Sequence, residues 1–240
     1  MTNGRKSTSA QPRQTLVQLV YDAIFSDVIK GRLAGSERLI QDDLAAAYGV
    51  SRQPVQQALL LLRDHGIVHD APRRGFVVAA LDVDHVRDLY QVRGELEGFA
   101  ARLAAESGRR EAARAGAALI EEGWAAMDSG SLSRLIEADV NFHIFMSDLS
   151  GNPIVASMMR PVYYHMRRIM AEVMRDDTAV QASLWRDHAA ILEAVKAGDG
   201  EKAERLARQH IENASARLVA RLQRRQDAEA SRELRRRVRP

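Results

Sequence analysis

Three histidines and one aspartate stand on the apolar stripes of three helical segments. In LIEADVNFHIFM, Asp139 and His143 are four residues apart and therefore project side by side from one helix face. His188 in LWRDHAAILEAV and His210 in AERLARQHIENASARL also fall on apolar stripes. A carboxylate on such a stripe is costly unless it is paired or bound to a metal. Imidazole and carboxylate suit a borderline divalent cation, and we expect zinc, with nickel or manganese as alternatives.

Each inward histidine alone is more simply a hydrogen-bonded core residue, but four such groups on three helices favour one shared site. The predicted metal ligands are Asp139, His143, His188 and His210. In octahedral geometry these four ligands would leave positions that water or an organic acid could fill. Two alternatives stay open: an enzyme whose metal activates water, and a metal site that is purely structural. Because no inward general base accompanies the four residues, we expect no enzyme activity.

An arginine in DLYQVRGELEGFAARLA has two possible roles. It is Arg93, and it lies beside a stripe of apolar residues, Leu89, Val92, Leu96, Phe99 and Leu103. At the edge of a buried stripe its guanidinium could bind a carboxylate in bidentate fashion. It could equally pair with Glu97, one helical turn further on. Asn213, on the same stripe as His210, is the second candidate contact for a small carboxylate effector.

A second group of polar side chains marks the start of a strongly apolar helix in GVSRQPVQQALLLLRDHGI. On a 3.6-residue period the buried face of this helix consists of Val55, Ala58, Leu59 and Leu62. Ser51 is the predicted N-cap. The opposite face carries a compact patch of hydrogen-bonding groups, Arg52, Gln53, Gln56 and Gln57. Such a patch can contact base edges and phosphates of double-stranded DNA.

The elements around this helix have the order of a winged helix-turn-helix. A helix from Thr15 to Lys30, with Leu16 and Leu19 on its buried stripe, precedes a short strand at 38–40 and a helix from Gln41 to Tyr48. The apolar helix follows, and two short strands then surround a Pro-Arg-Arg-Gly turn. In this module the apolar helix enters the major groove by its N-terminal end. Arg73 and Arg74 at the turn would reach the DNA backbone or minor groove.

Composition limits the remaining function classes. The chain has 240 residues and no cysteine, which excludes disulfides and thiolate metal sites. It shows neither a signal peptide nor a membrane-spanning apolar run, so we expect a cytoplasmic protein with no membrane partner. Residues 13–80 carry eight basic and seven acidic side chains. The local placement of charge, rather than its total, therefore supports a nucleic-acid partner.

From about residue 82 the strand signals end and helical periodicity continues to the end of the chain. The predicted helices are Val83–Glu106, Arg109–Met127, Leu132–Leu149, Pro153–Arg175, Thr178–Ala197 and Gly200–Arg225. The fold class is therefore mainly α: an N-terminal winged helix-turn-helix followed by an all-helical antiparallel bundle. The predicted divisions are a disordered arm (1–12), a DNA-binding domain (13–80), a helical effector domain (82–226) and a basic tail (227–240).

Both halves resemble a known family. GRLAGSERLIQDDLAAAYGVSRQPVQQALLLLRDHGIVHDAPRRGFVV resembles the DNA-binding domain of GntR-type transcriptional regulators. The helical half resembles the FadR-like branch with an FCD ligand-binding domain. That domain's pattern includes Arg-x-x-x-Glu, Asp-x-x-x-His and two later histidines, which correspond here to Arg93 with Glu97, Asp139 with His143, His188 and His210.

The resemblance implies a homodimer that binds an inverted-repeat operator, most often as a repressor. It also implies that a small carboxylate effector at the metal site alters operator binding. Three positions depart from the family pattern, which commonly has Arg in place of Gln56, Glu in place of Gln57 and Arg in place of Asp43. Arginine is the usual reader of guanine, whereas glutamine suits adenine. The family's usual operator sequence is therefore not expected here.

Overall fold

The computed structural model describes residues 15–72, 75–174 and 178–237, and the chain divides after Ala79 into two compact units. The first unit contains α1 (Leu16–Ile29), β1 (Arg38–Leu39), α2 (Gln41–Tyr48), α3 (Arg52–Asp64), β2 (Val68–Asp70) and β3 (Phe76–Val78). The second contains α4 (Val83–Ser107), α5 (Arg109–Asp128), α6 (Leu132–Leu149), α7 (Pro153–Met174), α8 (Thr178–Ala197) and α9 (Gly200–Arg237). The predicted fold class, a winged helix-turn-helix followed by a helical bundle, is confirmed.

In the first unit, α3 packs through one apolar face against α1 and α2. The side chains of this face are fully buried, and they are Val55, Ala58, Leu59 and Leu62. The turn before α3 is made by Gly49, whose φ of 64° is the left-handed conformation that glycine adopts without strain. Ser51 takes the N-cap position in extended conformation, but its hydroxyl makes no capping hydrogen bond. That hydroxyl therefore remains available to a partner.

The wing is a three-stranded antiparallel sheet in the order β1-β3-β2. Leu39 pairs with Phe76 across β1 and β3, and Val68 pairs with Val78 across β2 and β3. All four side chains are buried, so the sheet covers the end of the helical core. The predicted wing-tip contacts Arg73 and Arg74 lie outside the described residues.

The buried face of α1 differs in part from the predicted one: Val20, Ile24 and Val28 are buried as predicted, whereas two leucines of the predicted stripe are not. Leu16 and Leu19 are 52% and 49% exposed. Tyr21 and Phe25 are buried instead; their rings stack with centroids 6.0 Å apart, and the Tyr21 hydroxyl hydrogen-bonds His65 Nδ1 at 2.8 Å. The two aromatic rings bury more apolar area than the two leucines would, and this rotates the inward face of the helix.

In the second unit, α9 packs along most of α4 because small residues on α4 allow a close approach. A Cβ added at Gly94 would lie 3.7 Å from Ile211, and one added at Gly98 would lie 2.7 Å from Arg208. This packing selects the buried face of α4, which comprises Val86, Tyr90, Arg93, Gly94, Glu97, Gly98, Ala101 and Ala104. The sequence predicted that the apolar stripe from Leu89 to Leu103 would be the buried face, and this prediction is wrong. Val92, at its centre, is 56% exposed.

The last helix also differs from its prediction. It extends to Arg237, twelve residues beyond the predicted end at Arg225, and so includes much of the expected basic tail. Its inward stripe runs through Ala203, Ala207, His210, Ile211, Ala214, Leu218 and Leu222. The Ala, Glu, Gln and Arg residues after this stripe are strong helix formers, which accounts for the additional turns. Within the described ranges, none of the helices is long and apolar enough to cross a membrane.

Candidate metal centre and nucleic-acid interface

Four buried side chains converge between α6, α8 and α9. Asp139 and His188 are 0% exposed, and His143 and His210 are 3% exposed. The i, i+4 spacing on α6 places the aspartate and the first histidine on one face, as the sequence predicts. Each of the other two helices contributes one imidazole to the same point. The structure thus brings together all four predicted metal ligands.

The distances within this group are close to those around a single divalent ion. His188 Nε2 lies 3.1 Å from His210 Nε2 and 3.7 Å from Asp139 Oδ1, while His143 Nε2 lies 3.8 Å from Asp139 Oδ2. One ligand nitrogen from each histidine lies within 4.8 Å of the others. Two ligand atoms that are each about 2.1 Å from one zinc ion lie roughly 3–4 Å apart. Small side-chain rotations would therefore complete a coordination sphere.

Two outer carboxylates orient the imidazoles. His143 Nδ1 donates to Glu97 Oε2 at 2.7 Å, and His210 Nδ1 lies 3.3 Å from Asp187 Oδ2. A proton held on Nδ1 leaves the lone pair on Nε2, which in both rings faces the centre. Metal-binding histidines in proteins have this arrangement, with the second ring nitrogen bonded to a carboxylate or carbonyl.

The electrostatics of the group also suit a divalent cation. Both oxygens of Asp139 are buried without a hydrogen-bond partner in the described part of the chain, and so is His188 Nδ1. Burial raises the pKa of Asp139 and lowers the pKa values of His188 and His210. Both imidazoles are therefore neutral at neutral pH, the form that binds metals. A divalent cation would compensate the unpartnered carboxylate, so the donor set fits the predicted metal.

Arg93 lies at the edge of this group and pairs with Glu97, one of the two roles considered from the sequence; its role as an effector contact stays a prediction. Its Nε donates to Glu97 Oε1 at 2.6 Å, and its Nη2 donates to His143 Nε2 at 3.1 Å. Although burial opposes it, the charge of Arg93 and the hydrogen bonds from His143 and Arg93 lower the pKa of Glu97 to about 2. The remaining Nη1 is buried and bonds to no residue in the described ranges. One N–H group thus stays available to an anion beside the four ligands.

The space beside the four ligands is small. A cavity of about 10 Å³ lies next to His143, lined by residues including Glu97, Phe142 and Met146. A cavity of this size holds about one water. An organic acid can therefore enter only if the surrounding helices move.

The predicted DNA contacts of α3 lie together on its exposed side. Arg52, Gln53, Gln56 and Gln57 are all exposed, opposite the buried face of the helix. The guanidinium of Arg52, 72% exposed, forms an ion pair with Asp42 of α2. Such an exposed pair contributes little to stability, so the arginine can exchange it for DNA.

Both units match known sequence families. Residues 16–78 match the family described as "Bacterial regulatory proteins, gntR family", and residues 88–213, more than half of the chain, match the FCD domain. The chain belongs to the GntR family, in the branch that carries an FCD domain. It is therefore a DNA-binding transcriptional regulator and not an enzyme, as the sequence predicts.

Individual relatives agree with this assignment. The HTH-type transcriptional regulator LutR of Bacillus subtilis is 31% identical over 196 residues, which cover 71% of this chain and 85% of that protein. The HTH-type transcriptional repressor RspR of Escherichia coli is 24% identical, covering 87% of this chain and 91% of that protein. The solved structure of E. coli McbR/YncC is similar in fold, with a TM-score of 0.71 and 23% identity over 87% of this chain and 99% of that chain.

One predicted effector contact of this GntR/FCD regulator lies away from the metal ligands. Asn213 is half-buried, and its Oδ1 accepts a hydrogen bond from Gln209 Nε2 at 3.1 Å on the exposed side of α9. The stripe used to place it ran through Leu206 and Asn213, whereas the buried stripe runs through Ala207 and Ile211. Its role as an effector contact stays a prediction.

Sequence reasoning missed two residues near the predicted metal ligands. Asp187 directly precedes His188 but bonds His210 on the neighbouring helix. Tyr163 of α7 donates its hydroxyl to the carbonyl oxygen of His143 at 3.0 Å, and the same hydroxyl lies 2.7 Å from Ser147 Oγ. Its position in the sequence gave no signal, because the contact depends on how α7 crosses α6.

Proposed function

We propose that this GntR/FCD regulator represses transcription as a homodimer bound to an inverted-repeat operator. A small carboxylate effector, bound at a divalent metal ion in the FCD domain, lowers its affinity for that operator. The observation that carries the metal-dependent part is the fully buried carboxylate of Asp139 beside three imidazoles. Its oxygens bond to no other described residue, and a bound divalent cation would balance such a group at low cost.

The residues that would hold the ion are Asp139 and the Nε2 atoms of His143, His188 and His210. A bound divalent ion would supply a Lewis-acidic centre with positions open to an anionic oxygen. Because thiolate ligands are absent and imidazole predominates, we propose zinc, with nickel or manganese as alternatives.

Effector recognition is assigned to Arg93. Its Nη1 has no hydrogen-bond partner among the described residues. It can therefore bind a carboxylate, because a guanidinium forms charge-assisted hydrogen bonds with carboxylates. The cavity of about 10 Å³ beside His143 admits about one water, so effector binding requires the helices to separate. A ligand that binds only the separated arrangement shifts the population toward it. This requirement connects binding in the core to a change in DNA affinity.

Operator recognition is assigned to the exposed face of α3. Arg52 is the candidate for phosphate or guanine contact, and Gln56 and Gln57 are the candidates for adenine, which glutamine binds in bidentate fashion. The two glutamines therefore predict an operator with more A·T pairs than arginine and glutamate at these positions would select.

The homodimer is assigned to the uncovered apolar stripe of α4. Val92 is 56% exposed, and Leu96, Phe99 and Leu103 are only partly buried along the same side of the helix. The spacing of these residues is that of a helix-to-helix seam. A second copy placed about a two-fold axis would cover this stripe on both chains.

The test combines metal analysis with DNA binding. Protein purified without an affinity tag should contain about one divalent ion per chain, and chelation should abolish the response of DNA binding to carboxylates. His188→Ala should lose both the ion and the response, whereas the matched control His85→Ala, an exposed histidine on α4, should keep both. A full effector response from metal-free protein would refute the proposal.

The narrow cavity favours a second candidate, in which the ion is structural and the effector binds elsewhere. In that case His143→Ala lowers the melting temperature but leaves the effector response intact in the protein that still folds. The two candidates therefore predict different results for the same variant.

A further inference from the structure

A second cavity opens between α6 and α7, on the side of α7 that faces α6. Its volume is about 290 Å³, far larger than the space beside the metal ligands. Apolar residues form part of its wall, namely Val140, Ile144 and Ala156. Arginines Arg160 and Arg167 form the cationic part. The groove thus combines an apolar floor with two fixed positive charges.

The two arginines have unused hydrogen-bonding capacity. Arg160 is exposed, and no ion pair joins it to another described residue. Arg167 donates from Nη2 to Glu137 at 2.9 Å, but its Nε is buried and has no partner within the described part of the chain. The two residues are seven positions apart, so their Cα atoms are separated by about 10 Å along the axis of α7.

Besides Glu137, which pairs with Arg167, one further described carboxylate opposes these charges at the rim. Asp148 lines the groove but is exposed to solvent. Its charge is therefore partly screened, and it disfavours ligands that carry more than two negative charges. Two separated guanidinium groups over an apolar floor match a molecule with an anionic group at each end and a methylene chain between them.

The groove is a different site from the metal centre. Tyr163 and Ser147 form the wall between them, and Ser147 lines both cavities. The Tyr163 hydroxyl is already engaged with His143 O and Ser147 Oγ. This polar contact closes the wall in the present arrangement.

We propose that the groove between α6 and α7 is a second binding site, for a short linear dicarboxylate. One carboxylate binds Arg160 and the other binds the partly exposed guanidinium of Arg167, while the methylene chain packs on Ile144 and Ala156. This site requires neither a metal ion nor Arg93, so it is independent of the effector site proposed above.

Calorimetric titration of the full-length, metal-free chain with glutarate tests the site without the metal centre. Glutarate should bind, and butyrate and inorganic phosphate should bind at least about tenfold more weakly. Butyrate has only one carboxylate and leaves one guanidinium unused, and phosphate has no methylene chain to pack on the apolar floor. Citrate should also bind more weakly than glutarate because of Asp148. No glutarate binding at millimolar concentration, or equal binding of butyrate, would overturn the proposal.

Three variants at exposed positions test whether the groove is the binding site. Arg160→Met should weaken glutarate binding at least about tenfold, whereas Arg134→Met, an exposed arginine of α6 outside the groove, should leave it unchanged. Glu137→Gln releases Arg167 from its ion pair and should strengthen glutarate binding several-fold. All three side chains are exposed, so melting temperatures should stay close to that of the parent. If Arg160→Met binds glutarate as tightly as the parent does, glutarate binds outside the groove and the proposed site is wrong.

Discussion

Asp139→Asn should have opposite effects on the metal-free and the metal-loaded protein. The substitution keeps the shape of the side chain and removes its charge. In the metal-free protein the carboxylate of Asp139 is fully buried, and neither oxygen bonds to another described residue. Burial raises its pKa, which means that the charged form is less stable in the folded state than in the unfolded state. Removing the charge should therefore stabilise the metal-free fold.

The magnitude follows from the cost of an unsatisfied buried group, about 1–3 kcal/mol and more when it is charged. In a protein of this size about 1 kcal/mol shifts the melting temperature by roughly 2–4 °C. The metal-free Asn variant should therefore melt about 2–12 °C higher than the parent at neutral pH. The destabilisation by Asp139 is absent below the unfolded pKa, about 3.9, and grows as pH rises toward the raised folded pKa. The difference between the two proteins should accordingly be small near pH 4.5 and larger at pH 7.

In the metal-loaded protein the same substitution removes the anionic ligand. Zinc affinity, measured by competition with a chromophoric chelator, should fall at least about tenfold. Asp148→Asn is the matched control, because it removes an exposed carboxylate from the same helix. It should change neither the melting temperature of the metal-free protein nor the zinc affinity. A lower melting temperature for the metal-free Asn variant, or an unchanged zinc affinity, would refute the reasoning.

Four further substitutions test other parts of the structure. A Cβ on Gly123 would lie 2.2 Å from the buried ring of Trp185, so Gly123→Ala should destabilise the fold by about 1–3 kcal/mol in thermal melts. A Cβ on Gly94 would lie 3.7 Å from its nearest neighbour, so Gly94→Ala should be neutral or should stabilise the fold by up to about 1 kcal/mol. Arg52→Ala should weaken binding to selected duplex DNA by about 1–3 kcal/mol in anisotropy titrations, with an unchanged melting temperature. Val92→Glu should convert the proposed dimer to monomer in light scattering, and a persistent dimer would place the interface elsewhere.

Sequence periodicity predicted most of the secondary structure because most of the helices have one dominant apolar stripe. On α6, Leu135, Ile136, Phe142 and Met146 leave no choice of face, and Asp139 had to be inward with them. On α4 two stripes compete: one of larger apolar residues and one of Gly, Ala and a few polar residues. Periodicity favours the larger residues, but close packing of α9 requires the small ones. The choice depends on a neighbouring helix, and a single segment does not contain that information.

The candidate metal ligands were predictable for the same reason, whereas the groups around them were not. A histidine on an apolar stripe is anomalous in its own segment, so the pattern itself identifies it. Asp187 stands on no apolar stripe and is 34% exposed, yet it orients the imidazole of His210 from another helix. Tyr163 reaches the backbone of His143 across a helix crossing. Contacts of this kind are properties of the packing, and they become visible only when helices are placed together.

The hydrogen bond from Arg93 to His143 connects the two parts of the proposed mechanism. Arg93 Nη2 donates to His143 Nε2, the atom that would coordinate the metal, at 3.1 Å. Metal binding must break this bond, because one lone pair cannot serve both partners. The released N–H joins the unpartnered Nη1, so the metal-loaded protein presents more donors to a carboxylate than the metal-free protein does. Metal and effector should therefore strengthen each other by the same factor, which zinc titrations with and without the acid would measure. Equal zinc affinities in the two titrations would show that Arg93 does not connect the sites.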